Sequence, residues 1–464
     1  MDIAPSEIPQ PHGFGQELSA MVRLAVPVAL VNVGFMFMGV VDTLMVGRVS
    51  AEALAAVALG NLYFYVISIF GVGMLMALDP IVAQAVGAGD EPAIARGVQR
   101  GLIIALWLTV LTTVALLFAE PVMRVLRQPE AVVAQAAAFD HALIPGMLPF
   151  YVFVVLRQTL QAKHRVAAIV LVIVFANVLN AGLNWLFIFG HLGMPARGVM
   201  GSGMATSTSR WFMPLLLLAA SWRDIRPYLA PWRTDTRDRG ALGRTVSLGL
   251  PIGLQLMLEY GVFAMAGVMM GWIGTAQLAG HQVALNLASL TFMVPLGVAS
   301  AAAVLVGNAV GRGDMPEARR AAAAALLLGV GFMVASAAMM LAMPGMLARV
   351  YTADAAVLAV AALLIPIAGL FQVFDGTQVV SIGILRGAGD TRVPMLVNVL
   401  GYWVLGVPVS WWLGIHQQRG PAGLWWGLTL GLVVVSTILV ARVRTKLAAV
   451  ITRVMIDRPD GASA

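Results

Sequence analysis

Long apolar runs without a charged residue recur along the whole chain. Leu24 to Val41 carries no charge, Ala53 to Leu78 carries none, and Tyr260 to Gly311 is uncharged throughout. About 20 apolar residues in a helix cross the ~30 Å hydrocarbon layer of a bilayer. The last run is too long for one crossing, so it holds more than one and breaks near Gly271 to Gly274. The pattern predicts twelve spans, near 22–44, 54–80, 101–119, 138–160, 166–189, 201–221, 246–270, 279–307, 321–343, 357–385, 394–414 and 422–441. The first twenty residues are polar and Pro-containing, without the basic start and short apolar core of a signal peptide.

Composition agrees with the pattern. The 464 residues are 60% hydrophobic and 11% charged. Mean hydropathy is +0.89. A soluble domain carries about 25% charged residues, so this chain lacks the charge to cover a water-facing surface. There is no cysteine, which excludes disulfide frameworks, thiolate metal sites and thiol nucleophiles. The net charge of +7 belongs to loops and does not point to nucleic acid. Grouped by predicted topology, 22 of the Lys and Arg residues fall on the side of the termini and 6 on the other, with Arg210 left inside span 6. The excess places both termini in the cytoplasm.

The chain also repeats itself. At an offset of 224 residues, Pro27 falls on Pro251, Gly47 on Gly271, Gly73 on Gly297, and Val86-Gly87-Ala-Gly89-Asp90-Glu-Pro92 on Val310-Gly311-Arg-Gly313-Asp314-Met-Pro316. Six spans separate the copies. An even number makes them parallel repeats about an axis along the membrane normal. The expected organisation is a lobe of spans 1–6 (1–221), a polar linker loop (222–245), and a lobe of spans 7–12 with a basic cytoplasmic tail (246–464). In the repeated Gly-x-Gly-Asp-x-Pro, the glycines end one helix and Asp90 or Asp314 caps the next. Asp314 and Glu317 have the spacing of a capping box.

No phosphate-binding Gly-Lys-Ser/Thr loop and no His-x-x-x-His pair occurs. The remaining chemistry is charge at membrane depth, which costs from ~3 to over 10 kcal/mol unless paired, hydrated or neutralised. Glu259 interrupts span 7, Asp375 interrupts span 10, and Asp42 lies toward the far end of span 1. Counted from flanking arginines at ~1.5 Å per residue, Glu259 and Asp375 stand at similar heights of about 22 and 17 Å, and Asp42 at about 28 Å. The first two are expected to form one carboxylate cluster able to carry a proton or exchange it for Na⁺ or a cationic substrate. Asp42 competes with a simpler reading as a hydrated group near the interface.

Polar groups on neighbouring spans add to this set. Asn180 and Asn184 share one face of span 5, with helix–helix hydrogen bonding as the alternative role. Span 8 carries His281, Gln282 and Asn286, and Tyr260 follows Glu259; these are candidate cleft-lining residues. His281 reads first as a packing or hydrogen-bonding side chain. Pro27 and Pro251 are hinge candidates.

These residues together resemble the multidrug and toxic compound extrusion (MATE) family, in its bacterial NorM-like branch, over nearly the whole length. The resemblance rests on Pro27 with Val41-Asp42-Thr-Leu-Met-Val-Gly47, on Gln84-Ala-Val-Gly87-Ala-Gly89-Asp90, on Leu179-Asn180-Ala-Gly-Leu-Asn184-Trp185, and on Glu259. It continues in Ala279-Gly-His281-Gln282-Val-Ala-Leu-Asn286 and in Asp375-Gly-Thr-Gln followed by Leu385-Arg386-Gly387-Ala-Gly-Asp390. It implies an all-α integral membrane protein of twelve transmembrane helices in two pseudo-symmetric six-helix lobes. It implies export of small organic cations by alternating access, driven by inward Na⁺ or H⁺. Glu259 and Asp375 then match the cation-site carboxylates, with Na⁺ as one occupant, and Asp42, Asn180 and Asn184 match the polar cluster of the first lobe. Asp79 departs from the pattern, since a small neutral residue is expected there. It reads either as a hydrated helix end or as an extra ionisable group near the cytoplasmic mouth.

The expectation is therefore a multi-pass antiporter of the bacterial inner membrane, a monomer in contact with lipid, not an enzyme, using no cofactor beyond its coupling ion. Two rivals remain at this point. A lipid-linked precursor flippase would need a basic cleft, for which only Arg210 is available. A proton-translocating subunit of a redox complex would need Lys or His chains inside the helices.

Overall fold

The computed structural model describes residues 13–457. The first twelve residues of the polar leader, and Arg458 at the end of the basic tail, lie outside the described residues. The described chain is helical almost throughout. Eleven long apolar helices are Phe14–Val46 (α1), Ala51–Gly87 (α2), Glu91–Leu117 (α3), Glu130–Ala162 (α4), Ala167–Phe189 (α5), Arg239–Ile273 (α7), Thr275–Arg312 (α8), Met315–Ala342 (α9), Ala355–Gly387 (α10), Arg392–His416 (α11) and Gly420–Ala448 (α12). The twelfth is Gly198–Leu229 (α6). Its run of Gly, Ser, Thr and Arg210 dilutes the hydropathy, yet it is as long as the others. At ~1.5 Å per residue the longer helices exceed 45 Å, so they stand well beyond a bilayer's hydrocarbon layer.

The helix ends follow local chemistry. Ser50 Oγ accepts from Ala53 N at 3.0 Å and Asp354 Oδ1 from Val357 N at 3.0 Å, each satisfying a donor that the first helical turn leaves free. The long uncharged run breaks at Gly274, between α7 and α8. At the two repeated corners, Gly89 (φ +66°) and Gly313 (φ +77°) take the left-handed conformation that glycine adopts without strain. Asp90 Oδ1 then accepts from Ala93 N at 3.0 Å and Asp314 Oδ1 from Glu317 N at 2.8 Å. The capping box is only half formed, because Glu317 Oε1 pairs with Arg312 at 2.5 Å and does not return to the cap. Losing a side-chain cap costs about 1 kcal/mol. Asp90 also pairs with Arg453. Asp90→Ala should therefore lower the melting temperature in detergent more than Asp314→Ala, and equal shifts would contradict this reading of the corner.

The two halves pack reciprocally. α1 lies on α8, and its repeat mate α7 lies on α2, the mate of α8. Backbones meet at matched glycines. A Cβ on Gly87 would stand 2.0 Å from Asn308 O, and one on Gly311 2.1 Å from Gln84 O. Asn308 is itself the repeat mate of Gln84. Neither approach leaves room for a side chain, which gives the repeated glycines a physical reason.

The halves join at one end of the bundle and part at the other. One apolar cluster, with Val31, Met38, Phe153, Ile173 and Met213, belongs wholly to the first half. Another, with Val262, Met270, Phe371 and Trp425, belongs wholly to the second. Nearer the termini, Met21, Leu24 and Ala25 of α1 pack with Val298, Val306 and Ala318 of the second half. The cleft is thus closed at the end that carries the described ends of the chain.

The linker is shorter than the predicted loop of 222–245. α6 bends at Ser221 (φ −123°, ψ 22°) and stays helical to Leu229. A single 3-10 turn at Thr234–Arg237 follows, and α7 begins at Arg239. Polar composition marked this stretch as leaving the membrane, and helices that project into water need no apolar face on every side.

Candidate functional site

In the second half, α7 and α10 bring Glu259 and Asp375 into one polar group. Gln378 Nε2 approaches Glu259 Oε1 at 3.4 Å and Asn398 Nδ2 approaches Oε2 at 3.4 Å. Tyr402 donates its hydroxyl to Gln378 Oε1 at 2.9 Å. Asp375 is 7% exposed, its Oδ1 has no hydrogen-bond partner, and it lies within electrostatic reach of Glu259. Among the described residues, no Lys or Arg comes within ion-pair distance of either carboxylate. Such a pair holds acceptor oxygens, neutral donors and no fixed counter-charge. It can take up a proton or a positive ligand, and burial makes the empty, fully ionised form costly.

Gln378, Asn398 and Tyr402 were not singled out from the sequence. A signal existed for Gln378, which follows Asp375 by one helical turn and shares its face. Asn398 and Tyr402 sit where α11 widens into a π-helical stretch at Val399–Gly406. Such local widening is frequent at functional sites, and apolar periodicity does not foretell it.

In the first half, Asp42 is buried rather than hydrated, at 5% exposure, and Asn180 and Asn184 are fully buried. Asn184 Nδ2 donates to Asp42 Oδ1 at 2.5 Å and to Asn180 Oδ1 at 3.0 Å. Thr206 of α6 donates to Asp42 Oδ2 at 2.8 Å, and Asn180 Nδ2 reaches Thr206 Oγ1 at 3.3 Å. The four side chains close a ring of oxygens and amides from α1, α5 and α6, a donor set suited to a proton or a hard cation. Thr206 is a further residue that only the fold reveals. Asn177, by contrast, donates to Gly34 O at 3.0 Å, a helix–helix bond of the kind weighed for this segment.

One turn beyond Thr206, the Arg210 guanidinium lies 4.5 Å from the Phe64 ring centre and 4.8 Å from that of Phe150. Arg210 interacts electrostatically with Asp42 without forming an ion pair. A carboxylate absent from the sequence reading also appears here. Asp140 of α4 is fully buried, and neither of its oxygens has a partner.

The other candidates separate. His281 is 1% exposed, accepts from Trp425 Nε1 at 3.2 Å and stands edge-on to that ring, which is a packing role. Gln282 and Asn286 occupy the opposite, exposed face of α8. Tyr260 is partly exposed and lies within electrostatic reach of Tyr65 across the cleft. Pro27 and Pro251 sit inside unbroken helices. No group of three or more His, Cys, Asp or Glu converges among the described residues.

Asp79 has a definite place. Its Oδ2 pairs with Arg386 Nε at 2.9 Å, and both side chains are at most 8% exposed. The pair joins α2 to α10 across the closed end of the cleft, with Arg157 close enough to add to the field. The hydrated-helix-end reading is overturned, because the partner comes from the other half of the chain.

Comparison with known proteins agrees with this architecture. The MatE family model matches twice, at residues 27–186 and 251–412, and both matches start at the repeated prolines. A probable multidrug resistance protein NorM from Mesorhizobium japonicum is 37% identical over 440 residues, covering 92% of this chain and 93% of its own. A multidrug resistance protein MdtK from Pectobacterium atrosepticum is 35% identical over 439 residues, covering 92% and 95%. Among solved structures, the eukaryotic MATE transporter AtDTX14 superposes with a TM-score of 0.86 at 20% identity, covering 94% of this chain and 98% of that one. An outward-facing multidrug resistance MATE family transporter gives 0.84 at 20% identity, covering 94% and 96%. The chain therefore belongs to the MatE family of multidrug efflux transporters, as a multi-pass membrane protein and not an enzyme.

Proposed function

We propose that this protein is an antiporter of the bacterial inner membrane that exports organic cations in exchange for inward H⁺ or Na⁺, with both termini in the cytoplasm. The observation that carries the reading is the Glu259 and Asp375 pair, two carboxylates at membrane depth whose neighbours among the described residues are neutral. An entering proton or Na⁺ and an outgoing cation compete for the same negative charge. Each therefore favours release of the other, and that mutual exclusion is the coupling. The Asp42, Asn180, Asn184 and Thr206 ring provides a second place where a proton or small cation can settle. Half-exposed Tyr65 and Tyr260 offer aromatic faces to a flat cation. A cleft closed at the terminal end fits a state open to the outside. The basic excess on the terminal side supports the orientation, and the names of the relatives support drugs as cargo.

Two other readings lose ground. A flippase for lipid-linked anions would want unpaired basic residues along the cleft; among the described residues, Arg210 stands between two phenylalanine rings and Arg386 is paired with Asp79. Membership of the MatE family removes the redox-complex subunit. The test is efflux of a cationic dye from proteoliposomes under an imposed Na⁺ gradient or an imposed pH gradient, applied one at a time. One of the two is expected to drive efflux. Dye retention under both gradients, with the protein inserted and folded, would defeat the antiport reading.

A further inference from the structure

After α12 the chain leaves its helix and runs without regular structure over 450–457. This strand of coil is covalently part of the second half, and its root is tied there: Arg319 donates to Leu447 O at 2.8 Å and to Ala448 O at 3.1 Å. Its side chains nevertheless bind the first half. Arg453 pairs with Asp90 at the start of α3 at 3.0 Å. Val454 N donates to Gln84 Oε1 on α2 at 2.7 Å, and the same Gln84 side chain reaches Gly387 O of α10 at 2.8 Å. Asp457 meets Arg96 and Arg100 of α3, each at 2.6 Å. Between these polar contacts Ile456 is buried with Ala77 and Ile81 of α2 and Ala241 of α7. Its carbonyl accepts from Arg244 Nε of α7 at 2.5 Å.

The tail thus crosses the closed end of the cleft and holds both halves at once. Burial opposes the charge on Asp457, but its bonds to Arg100 and Arg96 outweigh that and hold the carboxyl below the usual aspartate range, so the contact is ionic at neutral pH. The contacts are also asymmetric within the repeat. At Asn308, the mate of Gln84, the partner is His164 at 2.8 Å, and no comparable tail lies there among the described residues. Once the halves part at this end, one segment cannot stay bound to α2 and α3 and also to α7.

We propose that residues 450–457 form a latch across the two halves at the terminal end, which must release one half each time that end opens. This rests on the alternating-access reading above only in assuming that the end opens. The latch favours the state closed at that end, and so sets how often the carboxylates face the side of the termini. Weakening it shifts the balance toward the opposite state by the free energy of the lost contacts.

The chain has no cysteine, so engineered pairs report without background. Ala88→Cys and Arg312→Cys sit at exposed, repeat-related positions at the terminal ends of α2 and α8. Spin labels there read the separation of the halves in nanodiscs. Two variants test the latch: truncation after Ala449, and the full-length double substitution Arg453→Glu with Asp457→Arg. Both should enlarge the long-distance population by about tenfold, the scale expected from a few partly buried ion pairs and one buried isoleucine. A distance distribution unchanged in both variants overturns the latch, whatever the dye assay shows. A lengthened distribution upholds it even if vesicles move no dye, in which case the antiport reading fails alone. If the truncated chain does not fold, the full-length double variant decides.

Discussion

Replacing Glu259 by glutamine and Asp375 by asparagine together is expected to abolish gradient-driven dye efflux, with each single replacement lowering it at least about tenfold. A tenfold effect corresponds to about 1.4 kcal/mol, well below the ~3 to over 10 kcal/mol at stake for a charge at membrane depth. The replacements keep size, so the helices should assemble as before; at position 259 one of the two amide donors, Gln378 or Asn398, loses its acceptor oxygen, while Tyr402 keeps its bond to Gln378. What is lost is the charge for which the coupling ion and the cargo compete. The single variants should differ in kind. Glu259 is approached by two amide donors. Asp375 leaves Oδ1 without a partner. Asp375→Asn should therefore flatten the dependence on the driving gradient more than it weakens dye binding, whereas Glu259→Gln should weaken both. The checks are equilibrium dye binding and initial efflux rates at matched expression. If the double variant effluxes dye like the wild type, Glu259 and Asp375 are not the coupling site.

Asp79→Ala is expected to destabilise the protein by about 3–5 kcal/mol, because it leaves the Arg386 guanidinium buried without its partner. Arg157 makes the loss worse, since two cations would then share one buried region. Asp79→Leu combined with Arg386→Met should recover part of the stability, as replacing a whole buried pair by apolar groups of similar volume is often neutral, while Arg157 still lacks the Asp79 charge. Thermal unfolding in detergent measures both variants. Equal melting temperatures for Asp79→Ala and the wild type would mean that the pair contributes nothing at the closed end. A double variant that folds stably but no longer transports would show that the pair acts on the balance between states, beyond holding the fold.

Much of the site was legible before any coordinates. Glu259, Asp375 and Asp42 stand out because charge is rare in apolar helices, and a rare costly residue needs a reason. The shared height of Glu259 and Asp375 followed from the rise per residue alone. The rest was hidden for a definite reason. Thr206, Gln378, Asn398 and Tyr402 are ordinary polar residues until a carboxylate from another helix faces them. Asp140 escaped notice within a moderately polar stretch of α4, and its burial without partners is a property of the packed helices. The capping-box spacing at Asp314 was right for the cap and wrong for the return bond, because Glu317 found Arg312 closer.

The number of spans, the parallel repeat and the turn chemistry at Gly89 and Gly313 were determined by the amino-acid order itself. Hydropathy, rise per residue and glycine's backbone freedom act over a few neighbours, so they can be read in place. The tertiary structure alone decided which end of the cleft is closed, that Asp79 belongs with Arg386, that Asp42 lies in a closed ring of hydrogen bonds, and that the tail reaches across to α2 and α3. Each of these depends on groups far apart in the chain meeting through helix faces, and periodicity tells which face is apolar without telling which helix will cover it.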